Sequence, residues 1–281
     1  MTQYRVGFDL GGTKLKVVVL DPGNKIVYEY TTPTRLDATG IYADIKLLYH
    51  YVLENIVFAD HTVGIGIPGN LVRPSYLLDG TDVHARLGEI FKVPFRVEND
   101  ANCFTLAEAT VGAGAGASST FGVILGTGVG GGFAIRGRLF SGFSGMACEW
   151  GHTPLITNGT PCWCGNSGCV ERYISGAAVE KIYREASGVE LTAGQVFNHN
   201  DIISLCVRQD FYANLAQGLA NIVNYYDPEI IVVGGGLSNV KEIYHIIPER
   251  VEALIFNSAL RARIVPAELG DDAGAVGAAL L

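Results

Sequence analysis

Short apolar runs broken by glycine and proline open the chain. Residues 4–10 (YRVGFDL), 15–20 (LKVVVL) and 25–32 (KIVYEYTT) are rich in β-branched and aromatic side chains. GGTK and DPGN between them are turn formers, so the pattern predicts a three-strand meander. The period then changes. From 39 to 59 (TGIYADIKLLYHYVLENIVFA) apolar positions recur every three or four residues, which predicts an amphipathic helix. Strands are expected at VGIGIP (63–68) and FRVE (95–98), separated by a poorly patterned stretch at about 70–93, and a helix opens at NDANCFTLAEA.

Residues 119–136 begin a second meander. Helices are expected near 176–187 and within 201–226, then a strand at EIIVV, a helix beyond GGGLSN, a strand at ARIVP and a small-residue helix at DAGAVGAALL. FDLGGTKLKVVVL and VILGTGVGGGFAI share one plan of apolar strand, glycine turn and apolar strand. This repetition predicts two α/β lobes with a boundary near 117, at the small-residue run GAGAGASS. The first lobe is expected over 1–117, with the helix at about 271–281 packing back on it, and the larger second lobe over 118–270.

Composition narrows the class. In 281 residues, 48% are apolar and 17% charged, enough for one large core or two modest ones. The net charge of −8 leaves no basic surface for a nucleic-acid backbone, so nucleic acid is not an expected partner. Charged residues Arg5, Asp9, Lys14 and Lys16 interrupt the first strands, so no export signal or membrane span is expected there. Of six cysteines, three lie within Cys162–Cys169. That is not a secreted disulfide framework, and it places the chain in a reducing cytoplasm. The low charge fraction makes a homodimer the expected assembly.

Three glycine turns follow strands. GTGVGGG (126–132) carries more glycine than a hairpin needs. It is either a turn with spare glycines or a loop whose bare N–H groups converge on an anion, with Thr127 adding a hydroxyl. Gly11, Gly12 and Thr13 form a matching turn, and Asp9 just ahead of it would hold Mg2+ beside a phosphate. GGG at 234–236, between a strand and a helix, would lie against a nucleoside. Three such turns together predict nucleotide binding, and their spacing matches neither a P-loop nor a dinucleotide fingerprint.

The segment HTPLITNGTPCWCGNSGCVE (152–171) gathers His152, Cys162, Cys164 and Cys169, a Cys3His set suited to a closed, structural zinc site. Cys103, Cys148 and Cys206 are read as small core residues. In ENDANC, Asp100 is either a helix N-cap or a general base that takes the proton of a hydroxyl attacking a phosphoryl group. Glu149 and Glu171 flank the cysteine cluster, as solvated acids or as acceptors of polyol hydroxyls.

DLGGTK, GIPG, NDANC, LGTGVGGG, EWGH, CWCGNSGCVE, DPEIIVVGGGLSN and GDDAGAVGAAL, in this order over nearly the whole chain, resemble the ROK family of sugar kinases and repressors. The resemblance implies two actin-like, ribonuclease H-like ATPase lobes around a cleft, and ATP-dependent phosphorylation of a hexose hydroxyl, usually that on C6. It implies Asp100 as the base and Gly69, Asn70, Asn99, Glu149, His152 and Glu171 on the sugar. Asp9, Gly11, Gly12, Thr13, Lys14, Gly126, Thr127, Gly128 and Gly234 to Gly236 would serve Mg·ATP. On this reading GTGVGGG is bare because phosphate lies against its backbone. EWGH, SGAAVEKIYREASG and GLSNVKEIY look most like kinases of mannose and fructose. NDANCF and FGVILGTGVGGG look equally like kinases of N-acetylglucosamine. The expected acceptor is thus fructose, mannose or glucose, with N-acetylglucosamine or N-acetylmannosamine as the alternative and a non-catalytic sugar sensor as a third reading. Between Gly69 and Phe91, NLVRPSYLLDGTDVHARLGEIF replaces the family's Asn- and Trp-containing sugar-side segment. The helix-turn-helix of the family's repressors is not expected, because the first strand begins at residue 4.

Overall fold

The structure, a computed structural model, describes residues 3–56, 60–69, 77–78, 80–256 and 259–281. Its first sheet starts with the expected meander. Strands β1 (Tyr4–Leu10), β2 (Lys14–Leu20) and β3 (Ile26–Pro33) are antiparallel in turn, and β4 (His61–Ile67) and β5 (Phe95–Asn99) extend the other edge in parallel. The order is β3-β2-β1-β4-β5. The second sheet repeats this plan with β6 (Ser119–Leu125), β7 (Val129–Ile135), β8 (Arg138–Leu139), β9 (Ile230–Gly234) and β10 (Arg263–Pro266), in the order β8-β7-β6-β9-β10. In each sheet a hairpin is followed by two parallel strands, and parallel neighbours need helical crossovers.

In the first lobe these crossovers include α1 (Ala38–Asn55), capped by Asp37, and α2 (Val83–Phe91). Helix α2 lies in the stretch expected to be unpatterned. The Asp82 carboxylate caps it, Val83, Leu87 and Phe91 bury one stripe, and Lys92 ends it in the left-handed region at φ 53°. Nine residues with a glycine at 88 are too few to display helical periodicity. After α3 (Asp100–Val111), the second lobe adds α4 (Glu171–Ile174), α5 (Gly176–Ser187), α6 (Ala193–Asn198), the long α7 (Ile202–Tyr226) and α8 (Glu242–Glu252). Cys206, expected in the core, is exposed on α7, whereas Cys103 and Cys148 are buried. Among the described residues no helix is long and apolar enough to cross a membrane.

The sheets meet through α3 and α9 (Ala273–Ala279). Helix α9 lies on β1 and β4 where Gly7 and Gly64 are paired, and a Cβ on either would come within 2.0 Å of an α9 carbonyl oxygen. Helix α3 lies on β6 and β7 where Gly122 and Gly132 are paired, and a Cβ on either would strike Thr105. Between the helices, a Cβ at Gly277 would stand 1.7 Å from the Cys103 carbonyl oxygen. Glycine lets backbone approach backbone at the first and third seams and makes room for the Thr105 side chain at the second.

Candidate functional site

The three glycine turns lie at corresponding strand ends. In the β1–β2 turn the Gly11 N–H donates to the Lys14 carbonyl at 2.9 Å, and in the β6–β7 turn the Gly126 N–H donates to the Gly128 carbonyl at 3.0 Å. The Gly126 carbonyl also accepts from the Gly176 N–H at 2.7 Å, which ties this turn to the start of α5. The turn after β9 rests on it: Gly235, at φ 82°, would place a Cβ 2.5 Å from the Leu125 carbonyl oxygen.

Local packing accounts for much of the glycine, which corrects the sequence reading of GTGVGGG. A Cβ at Gly130 would strike Ala101, one at Gly131 the Trp150 indole, and one at Gly132 Thr105 and Asn102. At Gly128 it would meet the Glu171 carboxylate at 2.7 Å, and at Gly234 the Phe104 ring at 2.5 Å. Gly12, Gly126 and Gly236, one from each turn, differ. A methyl group meets nothing closer than 3.8 Å at any of them, and none has a positive φ. Neither backbone conformation nor protein packing requires these three to be bare.

Two acids, Asp9 and Asp100, lie close enough for the charge of one to act on the other. Asp9 is near the end of β1, and its carboxyl is pushed up to about 6 by burial, against the pull of Lys14 and Lys16. Asp100 is the first residue of α3. The cap is its neighbour Asn99, whose side-chain oxygen accepts from the Ala101 and Asn102 N–H groups, so the capping role weighed for Asp100 falls elsewhere. Burial first, and then the charge of Asp9, raise the Asp100 carboxyl to about 7. Asp9 also lies against the backbone at the start of α9, where a Cβ on Gly274 would meet its carboxylate at 2.3 Å. Lys14 pairs with Asp271 at 2.9 Å, and Lys16 with both Glu29 and Asp272. Thr13 and Thr127 are exposed at the turn tips.

The residues expected on the acceptor side fall into two groups. Asn99 donates to the Gly69 carbonyl at 3.0 Å; Asn70 lies outside the described residues. Glu98 accepts from the Asn99 N–H, from Asn102 and, across to the second lobe, from the Ser141 hydroxyl at 2.8 Å. In the second group, Glu149 precedes a 3₁₀ turn, Trp150–His152, and the Trp150 indole N–H fixes that turn to the Gly130 carbonyl at 2.8 Å. Cys148 holds φ 66°, unusual for a residue with a side chain, directly before Glu149. The Glu149 carboxyl is raised by the protein packed around it, with His152 pulling the other way and Glu171 adding to the rise. Glu171 is buried. One of its oxygens accepts from the Val129 N–H at 3.0 Å, and the other from the Trp163 indole at 2.7 Å. Trp163 is a contact that the reading of motifs passed over; its signal is an aromatic residue between two cysteines of the cluster.

His152, Cys162, Cys164 and Cys169 bring one ligand atom each within 4.8 Å of the others. The Cys164 and Cys169 sulfurs are 3.7 Å apart, as are the Cys162 sulfur and His152 Nδ1. Donors about 2.3 Å from a tetrahedral cation stand at about this spacing, so the set could hold a metal ion with no position left open. Gly165 and Gly168, at φ 98° and 76°, turn the loop tightly enough to bring the sulfurs together.

A ROK family model matches residues 5–281. An N-acetyl-D-glucosamine kinase of Pectobacterium atrosepticum is 35% identical over 98% of this chain and 97% of its own length. The solved ROK hexokinase of Thermus thermophilus covers 99% of this chain and 97% of its own at 28% identity, with a TM-score of 0.89. A ROK family glucokinase of Streptomyces griseus, solved with glucose and AMPPNP, covers 98% of each chain at 27% identity, with a TM-score of 0.79. With its paired actin-like sheets and a family match over nearly its full length, the chain belongs to the ROK family.

Proposed function

We propose that this chain is an ATP-dependent sugar kinase that transfers the γ-phosphoryl group of ATP to the C6 hydroxyl of N-acetylglucosamine, with Asp100 as general base. The observation that carries this reading is the state of Asp100. Asn99 caps α3 while the Asp100 carboxylate accepts from the Ala101 N–H, burial and Asp9 bring its carboxyl to about 7, and the next residue, Ala101, packs against Gly130 just after the second glycine turn. A carboxylate poised there accepts the hydroxyl proton as the sugar oxygen attacks phosphorus and ADP leaves. Gly12, Gly126 and Gly236 supply bare backbone, in keeping with a phosphate chain and nucleoside crossing all three turns. Gly11, Thr13, Lys14, Thr127 and Gly128 complete that cradle, and Lys14 exchanges Asp271 for phosphate.

Asp9 would hold Mg2+, whose charge neutralises the phosphates and the repulsion between the two acids. Asn99, Glu149, His152 and Glu171 orient the sugar hydroxyls. The Cys3His set fits zinc, which would clamp the loop carrying His152. The acceptor follows the curated relatives, several of which are N-acetyl-D-glucosamine kinases. Glucose is the second reading, favoured by the hexokinase and glucokinase among the solved structures.

A coupled assay of ADP release over N-acetylglucosamine, N-acetylmannosamine, glucose, mannose and fructose tests the proposal. The expected result is the highest kcat/KM on N-acetylglucosamine. Highest kcat/KM on glucose would install the second reading, and no turnover with any of the five would remove the kinase assignment.

A further inference from the structure

Trp163 is a large aromatic residue that remains 69% exposed, yet its single polar atom is committed inward. The indole N–H donates to Glu171 Oε1 at 2.7 Å, and the ring meets the His152 imidazole edge-on, at 4.9 Å between centroids and 89° between planes. Its chain neighbours Cys162 and Cys164 both belong to the Cys3His cluster, so the indole is carried on the loop of that cluster. Glu171 is gripped from opposite sides, with Oε2 on the Val129 N–H of the phosphate-side hairpin and Oε1 on the indole. Each carboxylate oxygen retains a lone pair, and with both bonds in place the direction of those lone pairs is fixed. An exposed aromatic side chain is an uneconomical way to stabilise a loop, but it is a good way to aim a carboxylate, because a ring N–H is a rigid donor.

We propose that Trp163 is a positioning residue for sugar recognition. It orients the Glu171 carboxylate, and packs the His152 ring, so that both present fixed partners to the acceptor's hydroxyls. This rests on the assignment of Glu171 and His152 to the sugar side. The cysteine loop then acts beyond holding a metal, because its tryptophan links the metal cluster to the carboxylate and through it to the hairpin of the second lobe.

The test is a double-mutant cycle on the metal-loaded protein, read by calorimetric titration of N-acetylglucosamine without nucleotide and by steady-state kinetics. Trp163→Phe keeps a ring against His152 and removes the N–H. It is expected to weaken sugar affinity and raise sugar KM about ten-fold, the scale of a hydrogen bond to a charged group, with kcat within about two-fold and the KM for ATP unchanged. Metal content should stay that of the parent; if Phe disturbs the cluster, Trp163→Leu repeats the measurement with an apolar side chain that also lacks a donor. In a Glu171→Gln background, Trp163→Phe is expected to add little. A full, additive ten-fold loss there would overturn the proposal, since the tryptophan would then act independently of Glu171. So would unchanged sugar affinity in both Trp163 variants while Glu171→Gln alone weakens binding. If Glu171→Gln itself leaves sugar affinity unchanged, the sugar-side assignment of Glu171 falls, and this proposal falls with it.

Discussion

The two sheets share one strand order and one hairpin position, yet their hairpin turns are built differently. The first turn has two glycines, a threonine and a lysine that pairs with Asp271, with a half-buried acid just ahead of it. The second has a longer glycine run and no charged side chain within 126–132. The contrast lies partly in where each lobe keeps its packing glycines. In the first sheet, Gly7 and Gly64 receive α9 several residues before the turn. In the second, Gly130, Gly131 and Gly132 receive α3 and Trp150 directly after the turn, so two requirements merge into one run of glycine. A glycine-rich loop therefore has to be divided residue by residue into glycines that packing requires and glycines that it does not.

That division can be broken by substitution. The largest effect is expected at a packing glycine: Gly277→Val drives a side chain into the Cys103 carbonyl and should cost about 3 kcal/mol or more, read as lost soluble expression or a collapsed Tm. If Gly277→Val melts like the parent, the seam between α3 and α9 is not a backbone contact.

Next comes the acid supplied by the first lobe alone. Asp100→Asn should lower kcat by at least about 100-fold in a folded protein. It should also stabilise the protein at alkaline pH. Folding lifts this carboxyl from 3.8 to about 7, so it favours the protonated form. That contribution is complete below the unfolded value and disappears as pH climbs through 7, where the native protein must bury a charge. At pH 8 the Asn variant should be more stable by about 1 kcal/mol or more, and at pH 4 nearly equal to the parent. Equal denaturation midpoints at both pH values would show Asp100 to be well solvated.

A smaller, selective effect is expected from the cluster in the second lobe. Mild chelation should weaken sugar binding about ten-fold while Mg·ATP binding stays within about two-fold, in line with losses seen when the surroundings of a site are disturbed. Titrating each ligand separately, after circular dichroism confirms the fold, decides it. Equal losses for both ligands would make the cluster a general staple.

The smallest change in stability should come from the open glycines. Gly12→Ala and Gly236→Ala should leave the Tm unchanged or raise stability by about 0.5 kcal/mol, since a methyl group meets nothing there and φ is not positive. Each should still weaken Mg·ATP. Unaltered nucleotide affinity in both would separate these turns from phosphate and nucleoside.

Much of this was legible in the chain. Hairpins announce themselves by β-branched runs around turn residues, and α7 is long enough for its period to be unmistakable. Helix α2 escaped because its stripe, Val83, Leu87 and Phe91, is only three residues interrupted by a glycine. The cysteine spacing pointed to the cluster because its ligands are close in sequence. What stayed hidden depends on distant partners. That Asn99 rather than Asp100 caps α3 is a matter of backbone angles. That Gly131 makes room for Trp150, and that the Trp163 indole reaches Glu171, could be seen only once those segments were brought together.

The glycine seam under α9 also sets an order of events on the ribosome. The first sheet has all five strands once Asn99 is made, yet the face that carries Gly7 and Gly64 receives its helix only after every strand of the second sheet has been synthesised. At about 5–20 residues per second, the interval from Asn99 to Ala273 is roughly 10 to 35 s. During that time the face of the first sheet that carries Gly7, Gly64, Val18 and Leu20 stands without its cover. The lobe translated first is therefore completed last.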